Sequence, residues 1–359
     1  MVLDFAKEAL QNVSTHSINF DELRAGKANI KVFGAGGAGC NAVTWLFNKG
    51  ISGATIYGVN TDALHLSITK ADEKILIGKE LTRGLGCGGF PQKGREAAKE
   101  SLSELKKATS GADMVFVLSG LGGGTGTGAG PVVAQLAKES GAVVIGVVTM
   151  PFDCERARHD KAEFGLQELT EVVDTVIVID NNRLVDIAGN LPMEQAFAVA
   201  NELVSTMIKG IVETITLPSL INLDYADVSA IMKNGDVAVI GVGESDTQSR
   251  VDEAVRQALT HPLLDVDYRG ATGALIHITC GPDFKLEEFA GVGELVTENI
   301  SPDAQVIIGA RVNKDFANKV RVITIMTGVR SPYVLGRKGI QEETAARTEM
   351  SDLGIEVFR

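Results

Sequence analysis

Residues 121–130 read LGGGTGTGAG. Six of the ten are glycine and two are threonine, so the segment offers bare backbone amides and two hydroxyls, and little to fill a core. Such amides approach the oxygens of a polyphosphate closely, and a helix N-terminus behind them adds partial positive charge. A second cluster, Gly34-Ala35-Gly36-Gly37-Ala38-Gly39, has the GxGxxG spacing of a dinucleotide-binding turn, with Asp62 standing 23 residues past Gly39 as a possible ribose ligand. Alone, that match also fits an NAD-dependent dehydrogenase. A dehydrogenase, however, has no need for a second phosphate cradle in one sheet. No GxxxxGK[ST] occurs, which excludes a Walker-type loop. A separate chemistry resides in Asp224 and Asp227. At i, i+3 spacing a helical turn aims both carboxylates one way. A pair so aimed would repel a polyphosphate that it faced in the same molecule.

The glycine clusters sit between elements that must aim them. Apolar runs at 30–33, 54–59, 114–119, 143–149 and 175–179 alternate with helical stretches at 41–47, 95–108 and 131–139. Continuous apolar strands in βα alternation imply an α/β fold with a doubly wound parallel sheet, whose ligands gather at the carboxyl ends of the strands. Residues 192–217 form one long helix, apolar nearly all round, which belongs between two domains. A second, smaller α/β domain follows, with strands at 237–242, 275–279, 305–312 and 320–328 and helices at 250–260 and 286–299. The expected organisation is an N-terminal helical arm (1–28), a nucleotide domain (29–191), a central helix (192–220), a second domain (221–329) and a flexible tail (330–359). That tail ends in a short apolar peptide at 353–358. Helix geometry places Asp224 on the order of 30 Å from Glu202.

Composition narrows the classes. The 359 residues carry 34 basic and 46 acidic side chains, a net charge of −12, which gives no general field for nucleic acid or anionic lipid. Apolar residues at 45% exclude a largely disordered chain. No apolar run reaches the 18 to 20 residues of a membrane span, so direct membrane insertion is not expected. Cys40, Cys87, Cys154 and Cys280 form no CxxC pair and the histidines are scattered, so no metal-ligating set is expected. A cytoplasmic protein is the simplest reading. Three of the cysteines fall in three different glycine loops, either as small residues that fit there, which is the simpler reading, or as thiols that a bound nucleotide shields.

With these residues in view, the chain resembles the tubulin/FtsZ family, and within it the archaeal cell-division branch, from about residue 28 to 330. Gly122-Gly123-Gly124-Thr125-Gly126-Thr127-Gly128 is similar to the family's signature loop around the phosphates of GTP. Gly36, Gly37, Ala38, Gly39, Cys40 and Asn41 resemble its first nucleotide loop, and Asn60 to Asp62 its second. Gly88 and Gly89 fall in the third, near the γ-phosphate. Glu155 matches the ribose contact, and Phe197, Asn201 and Glu202 match the positions that stack on and hydrogen-bond guanine. Asn222, Asp224 and Asp227 match the catalytic loop. Two positions depart from the pattern. The basic residue expected four after Glu155 is His159, and a one-residue deletion would give that role to Arg158. Glu202 stands where the family often has Asp.

The resemblance implies a GTPase that uses GTP/GDP and Mg²⁺ and forms head-to-tail filaments of its own copies. Hydrolysis would be completed by the acids of the adjacent subunit. It further implies a mid-cell division ring, anchored through partners that bind the C-terminal peptide. A tubulin-like filament acting in cell shape is the alternative, and a dehydrogenase the remote one.

Overall fold

The computed structural model describes residues 28–217, 219–221, 223–233, 236–260, 268, 270–298 and 300–329. The expected N-terminal arm and the tail with its terminal peptide therefore lie, apart from Ala28, outside the described residues, as does Asn222.

The chain opens β1 (Ile30–Ala35), α1 (Gly36–Lys49), β2 (Ala54–Asn60), α2 (Ala63–Ile68), β3 (Glu73–Leu76) and the single turn α3 (Lys79–Thr82). It continues α4 (Pro91–Glu100), α5 (Leu102–Thr109), β4 (Met114–Gly120), α6 (Thr125–Glu139), β5 (Val143–Met150) and, after a 3₁₀ turn, α7 (His159–Val172). Then come β6 (Thr175–Asp180), α8 (Asn181–Ala188), the central helix α9 (Met193–Thr216) and α10 (Tyr225–Lys233). The last third holds β7 (Asp236–Ser245), α11 (Arg250–Leu259), β8 (Gly273–Cys280), α12 (Leu286–Thr297), β9 (Gln305–Val312) and β10 (Val320–Thr327).

The strands join in the order β3-β2-β1-β4-β5-β6-β7-β10-β8-β9. The first six are parallel, and β1 and β6 are buried along their whole length because helices cover both faces. The join to the second half is narrow: β7 pairs with β6 over only two residues. Beyond it β10 runs antiparallel to both β7 and β8, and β9 parallel to β8. The architecture is thus α/β with a large mixed sheet, parallel where the glycine loops lie.

Helix α9 closes the gap between the halves. Its Leu203, Val204, Met207, Ile208, Ile211 and Val212 share one buried cluster with Ile30, Val32 and Phe116 on one side and Ile323 and Ile325 on the other. That accounts for its nearly all-round apolar sequence.

Three expectations of local structure need correction. The stretch 95–108 is not one helix: α4 begins earlier, with Pro91 at its first position, and Ser101 separates it from α5. Ser101 Oγ instead accepts the Gly78 amide. Helices α7 and α10, the short α2, α3 and α8, and the edge strand β3 were not foreseen. Finally, the glycines of both loops are not all loop. Helix α1 starts at Gly36 and α6 at Thr125, so Gly126, Gly128 and Gly130 lie inside a helix. Glycine costs about 1 kcal/mol in a helix, but a Cβ on Gly128 would stand 1.9 Å from the Pro91 carbonyl oxygen. The loss in propensity is what allows α6 to lie against α4.

Candidate nucleotide site and the distant acidic pair

Strands β1 and β4 are hydrogen-bonded neighbours, with Gly34 opposite Leu118 and Ala35 opposite Ser119. Each runs into a helix that starts with no capping side chain and no acidic residue in its first turn. Two sets of unpaired N–H groups, with the positive ends of two helix dipoles, therefore meet side by side at the carboxyl edge of the sheet. The approach is close: Gly36 adopts φ +73°, and a Cβ there would stand 2.7 Å from the Gly126 amide nitrogen. By contrast Gly37 and Gly123 have nothing within 4 Å of where a Cβ would be. A backbone cradle with open space in front of it fits an anion with several oxygens.

Hydrogen bonds hold the loops in register. Thr61 Oγ1 and Thr125 Oγ1 share one at 2.7 Å, and the Cys87 thiol lies against both. Asn60 Oδ1 accepts the Thr61 and Asp62 amides, shaping the turn after β2, and Asp62 caps α2 through the His65 amide. The segment carrying Gly88 and Gly89 is tied to that turn by Gly86 N–H donating to Thr61 O, and Lys161 Nζ donates to Gly89 O. In the first turn of α1, Gly37, Ala38 and Asn41 are exposed and Cys40 is buried. Thr127 is buried, its methyl lying where a Gly165 Cβ would be and its hydroxyl without a partner.

On the flank, Glu155 Oε2 accepts the Phe152 amide and Oε1 pairs with Arg158 Nη1 at 2.6 Å. Arg158 also lies against Gly122, whereas the His159 ring meets Phe152 O at 3.1 Å. Phe152 and Phe197 form an edge-to-face pair, ring centres 5.9 Å apart, with Phe197 partly exposed. Asn201, at i+4 from Phe197, shares its face of α9. Glu202 is about 100° further round, and its carboxylate pairs with Lys49 at the end of α1.

At two of the three loop cysteines the simpler reading, a small residue that fits, agrees with the structure. Cys40 and Cys87 are already buried by the protein itself, with burial pushing the Cys40 thiol up to about 11; only Cys154 is exposed.

The acidic pair stands at the other edge. Tyr225, between Asp224 and Asp227, donates its hydroxyl to Asp113 O at 2.7 Å, and Asp113 directly precedes β4. Residue Thr175, the first of β6, donates to Met232 O at the end of α10. Both contacts fix α10 at the amino edge of the sheet. The seven residues of β4, about 23 Å of strand, separate that edge from Gly122. Asp224 also acts within its own helix, where its Oδ1 accepts the Asp227 amide at 2.8 Å, the N-cap geometry of α10.

Both halves match known families. Residues 29–189 match the tubulin/FtsZ family GTPase domain and residues 236–330 the FtsZ family C-terminal domain. The chain belongs to the tubulin/FtsZ family. Cell division protein FtsZ 2 of Methanocaldococcus jannaschii is 52% identical over 94% of this chain and 89% of its own length. Cell division protein FtsZ 1 of Pyrococcus furiosus is 53% identical over 92% and 88%. An empty FtsZ dimer from M. jannaschii superposes with TM-score 0.80 at 49% identity, covering 90% of this chain and 92% of that one. CetZ1 of Haloferax volcanii shares the fold at 23% identity and TM-score 0.74, over 89% and 99%. This is therefore an FtsZ-like cell-division protein, and the cell-shape and dehydrogenase alternatives are not favoured. GTP binding and hydrolysis follow at the level of the family. Among the described residues, no helix is long and apolar enough to cross a membrane.

Sequence reasoning missed Lys49, Lys161, Phe152 and Tyr225. Only Tyr225 carried a local signal, lying inside the acidic motif; the others act through contacts between distant segments.

Proposed function

We propose that this chain binds GTP at the paired N-termini of α1 and α6 and assembles head to tail. Each subunit hydrolyses its GTP only when the Asp224 and Asp227 of the next subunit arrive. The observation that carries this reading is the separation of the two halves of the site by the full length of a parallel sheet. The amides of Gly122–Gly128 and Gly36–Gly39 would take the phosphate oxygens, with Asn41, Gly88 and Gly89 closing around them. Glu155 and Arg158 would meet the ribose, Phe197 would stack on the base and Asn201 would bond its edge. Glu202, whose Oε1 pairs with Lys49, would offer its second carboxylate oxygen to the guanine N–H groups.

Across the contact, Asp224 and Asp227, with Asn222, would orient and polarise the attacking water, since phosphoryl transfer asks chiefly for positioning and charge neutralisation. Magnesium, carried with the phosphates, would neutralise their charge. No group of three or more acidic, His or Cys side chains exists among the described residues to hold the ion, which suits a cation that keeps water and phosphate ligands.

Exposed apolar side chains support the stacking. Leu64, Ile68, Leu85 and Phe90 surround the cradle, and Leu220 and Ile221 precede the acidic pair at the opposite end. Unlike patches at opposite ends make a heterologous, non-closing contact and hence a filament. The terminal peptide 353–358 would bind membrane-anchoring division partners and hold the filament at the division site. Sedimentation with GTP, GDP and ATP tests the reading: GTP alone should pellet the protein, and Asp224→Asn should pellet with GTP yet hardly release phosphate. Equal turnover by Asp224→Asn would refute it.

A further inference from the structure

A small, partly open cavity of about 100 Å³ lies between the two halves of the molecule, away from the phosphate cradle. Lys49, Lys209 and Glu213 line it from the first half, and His277, Arg311 and Arg321 from the second. Lys49 ends the 14-residue helix whose first residue opens the cradle, which puts the cavity about 20 Å from the phosphate end of the nucleotide site, while Glu202, read as a base contact, pairs with Lys49 at the cavity's rim.

The charges around the cavity do not balance. Glu213 serves two cations at once, Arg311 at 3.2 Å and Lys209 at 3.6 Å. Lys49 pairs with Glu202, and Arg321 with Glu244. Four cations thus share three carboxylates, and the surplus positive charge is partly withdrawn from water.

A second, independent feature points the same way. His277 is only 4% exposed, and its Nδ1 has no hydrogen-bond partner. Its Nε2 lies 3.4 Å from Thr279 Oγ1. Where Nε2 accepts from that hydroxyl, the proton of the neutral ring sits on Nδ1 as a donor without an acceptor; where Nε2 donates to it, Nδ1 is an acceptor without a donor. A buried polar atom left so is costly unless something fills the space.

We propose that this cavity binds a small tetrahedral oxyanion of the phosphate class, held by Lys209 and Arg311, with the His277 ring turning to offer it an Nδ1–H. Lys209 belongs to α9 and the other two to β8 and β9, so the anion ties the halves of the molecule together. The site goes beyond the nucleotide reading and stands even if that reading falls.

The histidines supply the test. His65 and His159 flank the nucleotide loops, whereas His277 lies in the cavity, so ¹⁵N imidazole resonances report the two places separately. The full-length chain, with GDP in excess, is titrated with inorganic phosphate and separately with sulfate, chloride holding the ionic strength constant. The His277 Nδ1 resonance should shift saturably with either dianion and not with chloride, while His65 and His159 stay in place. In Lys209→Met the half-saturating phosphate concentration should rise about tenfold, the loss of one charge-assisted hydrogen bond. In Lys209→Arg it should stay near the wild-type value. An unmoved His277 in the wild-type protein, or shifts confined to His65 and His159, would overturn the proposal. So would saturation unaltered by Lys209→Met.

Discussion

Asp224 shows how one residue serves both stability and chemistry. Its side chain caps α10 through the Asp227 amide, so removing the carboxylate also removes a cap. Asp224→Ala should lower unfolding stability by about 1 kcal/mol; Asp224→Asn keeps an acceptor and should lose only a few tenths. Both should lose turnover alike. Urea unfolding beside phosphate release separates the effects, and equal stability of the two variants would contradict the cap. His277 is a second case. Burial, reinforced by Arg311, pushes its imidazole down to about 4 from an ordinary 6.5. Between those values the unfolded chain binds the extra proton, so this contribution is whole above pH 6.5 and is lost as pH falls toward 4. By pH 5 the loss should reach about 2 kcal/mol. A His277→Asn variant should lack that increment when unfolding is compared at pH 7 and pH 5; an unchanged difference would show the ring titrating normally.

At the scale of elements, the glycine-rich helix starts divide into two kinds. Gly128 is pressed against Pro91 O, whereas Gly37 and Gly123 face open space. Gly128→Ala should therefore destabilise the fold by about 2 kcal/mol or more by overpacking. Gly123→Val should leave unfolding stability nearly unchanged while blocking nucleotide binding. Denaturant curves and a nucleotide titration distinguish them, and equal loss of stability at both positions would contradict the geometry. The same elements show what the sequence could reveal. Buried parallel strands such as 143–149 are legible because helices on both faces demand continuous apolar residues. The glycine clusters are legible because polyphosphate binding needs bare amides. Their helical continuation was not, since glycine's low propensity argued for loop and only the approach of α4 explains it. The edge strand β3, Glu73–Leu76, is half polar and four residues long, so it carried no period to read. The pairing of Lys49 with Glu202 joins residues 153 apart in sequence, and no local spacing announces it.

For the whole molecule, the account rests on a site divided between opposite ends of one subunit and completed by the next. The fold supplies the division directly, through parallel strands that end at the cradle and begin beside α10. A single chain should therefore bind GTP without turning it over, and phosphate release should rise faster than linearly with protein concentration. A more direct test mixes two inactive variants. Gly123→Val lacks a working cradle but keeps its acids, and Asp224→Asn keeps the cradle but lacks a catalytic acid. Only contacts between an Asp224→Asn cradle and a Gly123→Val acidic end are competent, so an equimolar mixture at saturating GTP should release phosphate well above the mean of its two components, up to about a quarter of the wild-type rate. A mixture no more active than the mean of its two components would contradict a shared site.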